Sequence, residues 1–197
     1  MNRTEIIASL RVTAVTLIAL GVLYPLAVTG VSLVLFPRAA HGSFVADDAG
    51  AVVGSELIAQ PFSLPGYVMP RPSAAGEKGY DAAGSGGSNL GPTSKALHDR
   101  VEKEMRRLIQ ENPGAPGPVP TELVTASASG LDPHLSPEAV LWQVPRIAKA
   151  RGIDPSRIQA VVEAQIEGRG LWVLGEPRVN VLLVNLALDR HFGRPPK

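Results

Sequence analysis

Hydrophobic and polar positions divide this chain near residue 37. From Val12 to Phe36 (VTAVTLIALGVLYPLAVTGVSLVLF) no side chain is charged, and Arg11 and Arg38 close the run. A bilayer core of roughly 30 Å takes about 20 apolar residues rising about 1.5 Å each. The run is therefore long enough to span with some tilt. A cleaved signal peptide has an apolar region of only about 7–15 residues before a small-residue cleavage site; here Pro37-Arg38 follows instead. The pattern predicts a head at 1–11, a transmembrane helix at 12–36 and one soluble domain at 37–197.

Pro25 removes a backbone donor near the middle of the span, which neighbouring helices or hydroxyls must compensate. Gly21, Thr29 and Gly30 are small or hydroxylated, as helix interfaces in membranes prefer. Tyr24 carries a hydroxyl into the apolar region, where it needs a partner. Gly21, Tyr24, Pro25, Thr29 and Gly30 are thus the candidate helix-packing residues. Arg3 and Arg11 precede the span; Arg38 follows it, with Asp47 and Asp48 beyond. That bias favours a cytoplasmic N-terminus and an extracytoplasmic domain.

The soluble part alternates short periodic stretches with long irregular ones. Ala51–Gln60 reads as a strand ended by Pro61. Phe62–Ser73 carries three prolines and reads as extended, and 74–92 reads as one long loop, of the kind usually functional or disordered. Leu97, Val101, Met105, Leu108 and Ile109 recur at helical spacing, predicting a helix over Thr93–Asn112 with Thr93 or Ser94 as cap. Gly114–Pro120 is a linker, and Glu122–Ala126 reads as a short strand. Ser136-Pro137-Glu138 marks a helix start, and Pro145 predicts a break into pieces 137–144 and 145–151. Asp154-Pro155 starts another helix whose face is Ile158, Val161, Val162 and Ile166, up to Gly168. Val179–Asp189 stays ambiguous: Leu182, Leu183 and Leu186 favour a helix, whereas Val179, Val181 and Leu183 favour a strand. His191–Lys197 reads as frayed. The fold class is α+β: one N-terminal transmembrane helix, then a single, mostly helical extracytoplasmic domain with a few short strands.

Charge and composition narrow the chemistry. The 197 residues carry a net charge of +1, giving no electrostatic case for a nucleic-acid partner. Cysteine is absent, which excludes disulfides, thiol nucleophiles and Cys-ligated metal. The histidines at 41, 98, 134 and 191 show no ligand spacing, so no metal site is expected. Gly84–Pro92 (GSGGSNLGP) invites comparison with phosphate loops, but it lacks the Gly-Lys-Ser/Thr ending and a preceding strand. A tight Gly/Asn turn entering a helix is the simpler reading. Ser127, Ser129, Asp132 and His134 crowd one segment, yet there is no Gly-x-Ser-x-Gly elbow, and Asp132-Pro133 suits a turn. Glu176, Arg178, Asn180 and Asn185 lie among apolar residues and predict an internal polar network. A membrane-anchored extracytoplasmic serine hydrolase using Ser127 or Ser129 with His134 is the alternative to a non-catalytic accessory chain.

Longer strings are more specific. Arg71-Pro72-Ser73, GGSNLGP (Gly86–Pro92), PVP with LVTASASGLDPHLSP (118–137), QVPRIAKARG (143–152) and LGEPRVNVLLVNLALD (174–189) stand in one order. Together they resemble the C subunit family of the Kdp potassium-transporting ATPase over nearly the whole chain. The resemblance implies a small, non-catalytic subunit of a bacterial inner-membrane complex that imports potassium. Its implied partners are a channel-like potassium-binding subunit and a P-type ATPase subunit that hydrolyses ATP. It further implies a need for this chain in assembly and activity, as a catalytic chaperone raising the pump subunit's ATP affinity, with ATP bound together with that subunit. The charge bias conflicts with direct nucleotide contact, because a P-type ATP site is cytoplasmic. The expected contact residues are Arg71, Pro72, Ser73, Gly86, Gly87, Ser88, Asn89, Leu90, Gly91, Pro92, Ser127, Ser129, Gly130, Asp132 and His134.

Overall fold

The computed structural model describes residues 2–196, which fall into two compact units, Met1–Phe44 and Val45–Lys197. The first unit is dominated by one helix, α1 (Arg3–Leu35). Glu5 Oε2 accepts the Asn2 N–H at 2.9 Å and ties down its start. Ala19–Leu23 is a π-helical turn, with the Tyr24 N–H bonded to Ala19 O. Its cause lies at Pro25, which has no N–H and whose ring crowds the carbonyl four residues back. The helix stops at Leu35 because Pro37 disfavours helical geometry at Phe36 (φ −134°, ψ 54°). The apolar side chains of α1 are turned outward; Val34 is 79 % exposed. Such a surface suits lipid and suggests a single-pass anchor.

The second unit is α+β and mostly helical. Strands β1 (Phe44–Ala46) and β2 (Val52–Ser55) pair as a hairpin, turned by Asp47 Oδ1, which accepts the Ala49 and Ala51 N–H groups. The strand thus takes only part of 51–60, since the chain leaves the ladder after Ser55, well before Pro61. Helix α2 (Lys95–Glu111) follows the long loop, with Ser94 at its cap position. Leu108 is buried and Val101 packs against the core, whereas Met105 and Ile109 stay exposed. The predicted apolar stripe is therefore only half used.

Glu122–Ala126 is not a strand. Thr121–Leu123 forms a 3-10 turn, and the Glu122 carboxylate accepts from the Ser136 backbone N–H and hydroxyl. That bond pulls the segment against the start of α3 (Pro137–Arg151) instead of into a sheet. Helix α3 is continuous through Pro145, contrary to the expected break. Val140, Val144, Ile147 and Ala148 are buried on both sides of the proline, and this shared packing outweighs one lost ladder bond. Asn112 Nδ2 also donates to Trp142 O at 2.6 Å. Gly152 in the left-handed region (φ 65°) ends the helix.

Helix α4 (Pro155–Ala164) is capped by Asp154, whose carboxylate accepts the Ser156 N–H. It ends earlier than the periodicity suggests, because Ile166 belongs to β4 (Ile166–Glu167). The ambiguous segment holds both elements in succession: β5 (Arg178–Asn180), then α5 (Val181–Phe192), with Asn180 Oδ1 accepting the Leu183 N–H as cap. Strand β5 lies between β3 (His134–Leu135) and β4, antiparallel to both, with His134 opposite Asn180 and Ile166 opposite Val179. One core joins this sheet to α3, α4 and α5 through Leu135, Val140, Ile147, Ile158, Val179 and Leu188. The tail is not wholly frayed: Pro195 is buried, lying where a Cβ on Gly66 would collide with it.

Candidate functional site

The extended segment from Pro61 to Ser73 has no strand partner. Buried backbone groups nevertheless need hydrogen bonds, and side chains of α3 and α5 supply them. Asn185 Oδ1 accepts the Val68 N–H at 2.8 Å, and its Nδ2 donates to Val68 O at 2.9 Å. Gln143 does the same for the next residue, accepting the Met69 N–H at 2.9 Å and donating to Met69 O at 3.1 Å. Arg146 donates to the carbonyls of Pro65 and Tyr67 and to Gln143 Oε1. Burial pushes its guanidinium down to about 10, so it remains a cation at neutral pH, held by three acceptors. Arg151 donates to Gly66 O at 2.7 Å and to Asp189 at 2.8 Å, and lies over the Tyr67 ring. The Tyr67 hydroxyl donates to Asp189 at 2.8 Å; burial, then that acceptor, pushes the phenol up to about 12. The polar residues of QVPRIAKAR and VNLALD thus act as an internal clamp.

That clamp fixes the point from which Arg71-Pro72-Ser73 leaves the body. Ser73 Oγ donates to Gly130 O at 2.6 Å and accepts the N–H groups of Ala75 (3.1 Å) and Tyr80 (2.7 Å). Tyr80, itself in the left-handed region (φ 57°), donates its hydroxyl to Arg71 O at 2.7 Å. Burial pushes this phenol up to about 12. The loop then returns to the second segment, where the Gly86 N–H donates to Ser129 O at 2.8 Å and Ser85 Oγ reaches the same carbonyl. A Cβ on Gly130 would stand 2.6 Å from Gly86 O and 2.7 Å from Ala75 N, and one on Gly87 would stand 3.0 Å from Ala128 O. These glycines allow two backbones to meet, which accounts for them without a phosphate.

Asp132 organises the neighbouring corner. Its carboxylate accepts the His134 N–H at 3.0 Å, lies 3.4 Å from His134 Nδ1, and pairs with Arg71 at 3.3 Å. The His134 side chain, then its backbone N–H and the Arg71 charge, hold the Asp132 carboxyl below the usual range against the opposing effect of burial. An open cleft of ≈ 620 Å³ beside it is lined by Leu57, Ile58, Arg71, Ser127, Ser129 and Asp132, among others. Ser127 Oγ and Ser129 Oγ lie 3.3 Å apart, and Ser129 Oγ accepts the Leu131 N–H. Among the described residues neither hydroxyl is bonded to His134, whose Nδ1 faces Asp132; a nucleophile–base pair requires that bond. No group of three metal-ligating side chains occurs among the described residues.

The structure brings together Arg71, Ser73, Gly86, Gly87, Ser127, Ser129, Gly130, Asp132 and His134. Pro72 is half-buried beside them, and Ser88 receives only a long contact (3.5 Å) from Arg100. Asn89, Leu90, Gly91 and Pro92 turn outward before α2, with Asn89 in the left-handed region (φ 52°). On α1, Pro25 and Thr29 stand four apart on one side, with Gly21 a turn earlier. Tyr24 and Gly30 are rotated about 100° round the helix from their neighbours Pro25 and Thr29. A Cβ on Gly30 would meet nothing within 4 Å, and one on Gly21 only Leu17 Cδ1 at 3.8 Å. Sequence reasoning missed Tyr80, Gln143 and Arg146. The last two could have been found as polar positions on the apolar face of α3.

A family model described as "KdpC: K+-transporting ATPase, c chain" matches residues 6–190. A potassium-transporting ATPase KdpC subunit of Myxococcus xanthus is 60 % identical over 190 residues, spanning 96 % of this chain and 90 % of the relative. The KdpC subunit of Rhodospirillum rubrum is 53 % identical over 192 residues, spanning 98 % of both chains. That of Methylobacterium nodulans is 54 % identical over 192 residues, spanning 92 % and 94 %. With the match running from the apolar helix into α5, the chain belongs to the KdpC family, the c chain of K+-transporting ATPases.

Proposed function

We propose that this chain is a non-catalytic accessory subunit of an ATP-driven potassium importer in a bacterial inner membrane. Helix α1 anchors it with the N-terminus in the cytoplasm and residues 45–197 outside. The locked pair of loops, 71–92 and 125–134, contacts the channel-like and P-type partner subunits. The observation that carries this reading is the backbone-to-backbone seating of Gly130 on Gly86. It builds a fixed polar surface while Ser127, Ser129 and His134 are left without nucleophile–base geometry. That arrangement favours recognition over catalysis and gives the hydrolase alternative no support.

An outside domain cannot touch a cytoplasmic nucleotide. Any chaperone-like rise in the pump subunit's ATP affinity therefore passes through conformational coupling, which binds both sites to the same free energy. The absence of a Gly-Lys-Ser/Thr loop agrees with this. Placement is tested on the cysteine-free chain with Lys78→Cys, an exposed loop position. A membrane-impermeant maleimide labels it in intact spheroplasts if the domain is outside; labelling only after lysis overturns the orientation. Contact is tested with Asn89→Gly, which keeps the left-handed turn and removes the side chain. Recovery of partner subunits falls while the melting temperature holds; unchanged recovery counts against this loop.

A further inference from the structure

The connection between β4 and β5 ends in an apolar finger. Gly170 and Leu174 exchange backbone bonds of 2.8 Å in both directions, and the turn between them carries Leu171, Trp172 and Val173. Leu171, Trp172, Val173 and Leu174 are 80, 92, 72 and 62 % exposed. Two consecutive residues, Leu171 (φ 47°) and Trp172 (φ 61°), take the left-handed conformation that bulky L residues avoid. Strained backbone of this kind clusters at functional sites. Within the domain these four side chains contribute nothing to the core, so their apolar character serves something outside it.

We propose that this finger inserts into the interfacial layer of the lipid bilayer, as a membrane contact of the chain in addition to α1. The inference rests on the reading of α1 as an anchor. The residues after Leu35 extend at most about 3.5 Å each, so the covalent link to α1 limits how far from a bilayer the domain can move. Trp is the residue most at home at the headgroup level, and Leu and Val favour the acyl chains just beneath. The finger's base is electrically balanced: Arg169 pairs with Glu176 at 2.6 Å and Arg178 with Glu167 at 3.0 Å. A neutral collar reduces the cost of approaching a low-dielectric surface and requires no anionic lipid. A protein partner fits less well. Stable protein interfaces cover about 800 Å² on each side, whereas here the apolar surface is one narrow tip rimmed by charges.

The full-length chain reconstituted in phosphatidylcholine vesicles provides the test. Its two tryptophans separate cleanly, because Trp142 is buried and Trp172 is exposed. Flotation after alkaline washing checks the anchor first; a chain that fails to float removes the anchor reading itself. In floated vesicles, phosphatidylcholine brominated on its acyl chains is expected to quench the Trp172 emission, and Trp172→Phe to lose that quenching. The Leu171→Ser, Leu174→Ser double variant should weaken quenching with Trp142 emission unchanged. High salt should leave it intact. A floated chain whose Trp172 is untouched by bromolipid but quenched by aqueous iodide overturns the proposal. So does iodide protection that arises only when the other subunits are added, which would make the finger a protein contact.

Discussion

Asn185 meets the backbone of Val68 edge-on, accepting its N–H at 2.8 Å and donating to its carbonyl at 2.9 Å. One carboxamide thus stands in for a neighbouring strand, and Gln143 repeats the device at Met69. The pair lets a proline-rich segment be buried without a sheet. It also sets where Arg71 emerges toward the loop that we read as the subunit contact.

Asn185→Ala should leave both Val68 groups buried and unbonded. At about 1–3 kcal/mol for each of the two orphaned groups, the loss is about 2–6 kcal/mol, read by denaturant unfolding of the detergent-solubilised chain. Asn185→Asp should recover part of it only at acidic pH, where a protonated carboxyl can again donate to Val68 O.

The two glycines of the loop pair should separate folding from recognition. Gly130→Ala places a methyl against Gly86 O and Ala75 N, and forces alanine to φ +65°. We expect a loss of about 2–3 kcal/mol together with failed assembly. Gly91→Ala meets nothing within 4 Å and should melt normally. Pulldown of partner subunits then reports whether that outward turn is touched.

What the sequence made legible follows from which forces are local. The caps at Ser136 and Asp154 are short-range devices and could be read from residue types; Ser94 takes the expected cap position without a side-chain bond. The apolar run of α1 was equally plain. Pro145 was misread because burial of Val140, Val144, Ile147 and Ala148 is a tertiary effect that overrides a local one. Glu122 was misread because its partner, Ser136, lies far along the chain. The segment after Pro177 looked ambiguous because it is a strand and then a helix. The loop pair was legible only as irregular polar strings, since the meeting of Gly86 with Gly130 has no periodicity. Its role in contact was suggested by the polar, irregular character of those strings in a chain that resembles a complex subunit.

Stability should fall at alkaline pH. The Tyr67 phenol is raised from 10.0 to about 12 in the fold. The folded chain therefore keeps a proton that the unfolded chain releases between those values. The contribution is complete below pH 10 and is lost as pH rises toward 12. Tyr67→Phe should flatten this slope in thermal melts, with Tyr80, raised likewise, accounting for the part that remains. Asp132 acts in the opposite direction. Its lowered value adds stability above the ordinary carboxylate range, lost as acid protonates it, and Asp132→Asn should blunt the acid limb.

Within α1, a Cβ at position 30 meets nothing within 4 Å, and Gly30→Leu adds bulk at that point. Membrane insertion should be normal, judged by resistance to alkaline extraction. A fall in partner recovery would locate a neighbouring helix at that position; full recovery would remove Gly30 from the packing face.

We read this chain as working only within a potassium-pumping assembly. The most direct test is a mild-detergent pulldown of the tagged chain from its native membrane, with potassium-stimulated ATP hydrolysis assayed in the same sample. A channel-like subunit and a P-type ATPase subunit should co-purify with that activity, while the isolated chain is inert toward ATP and esters. Recovery of the chain alone, or a hydrolase activity of its own that His134→Ala abolishes, would contradict it.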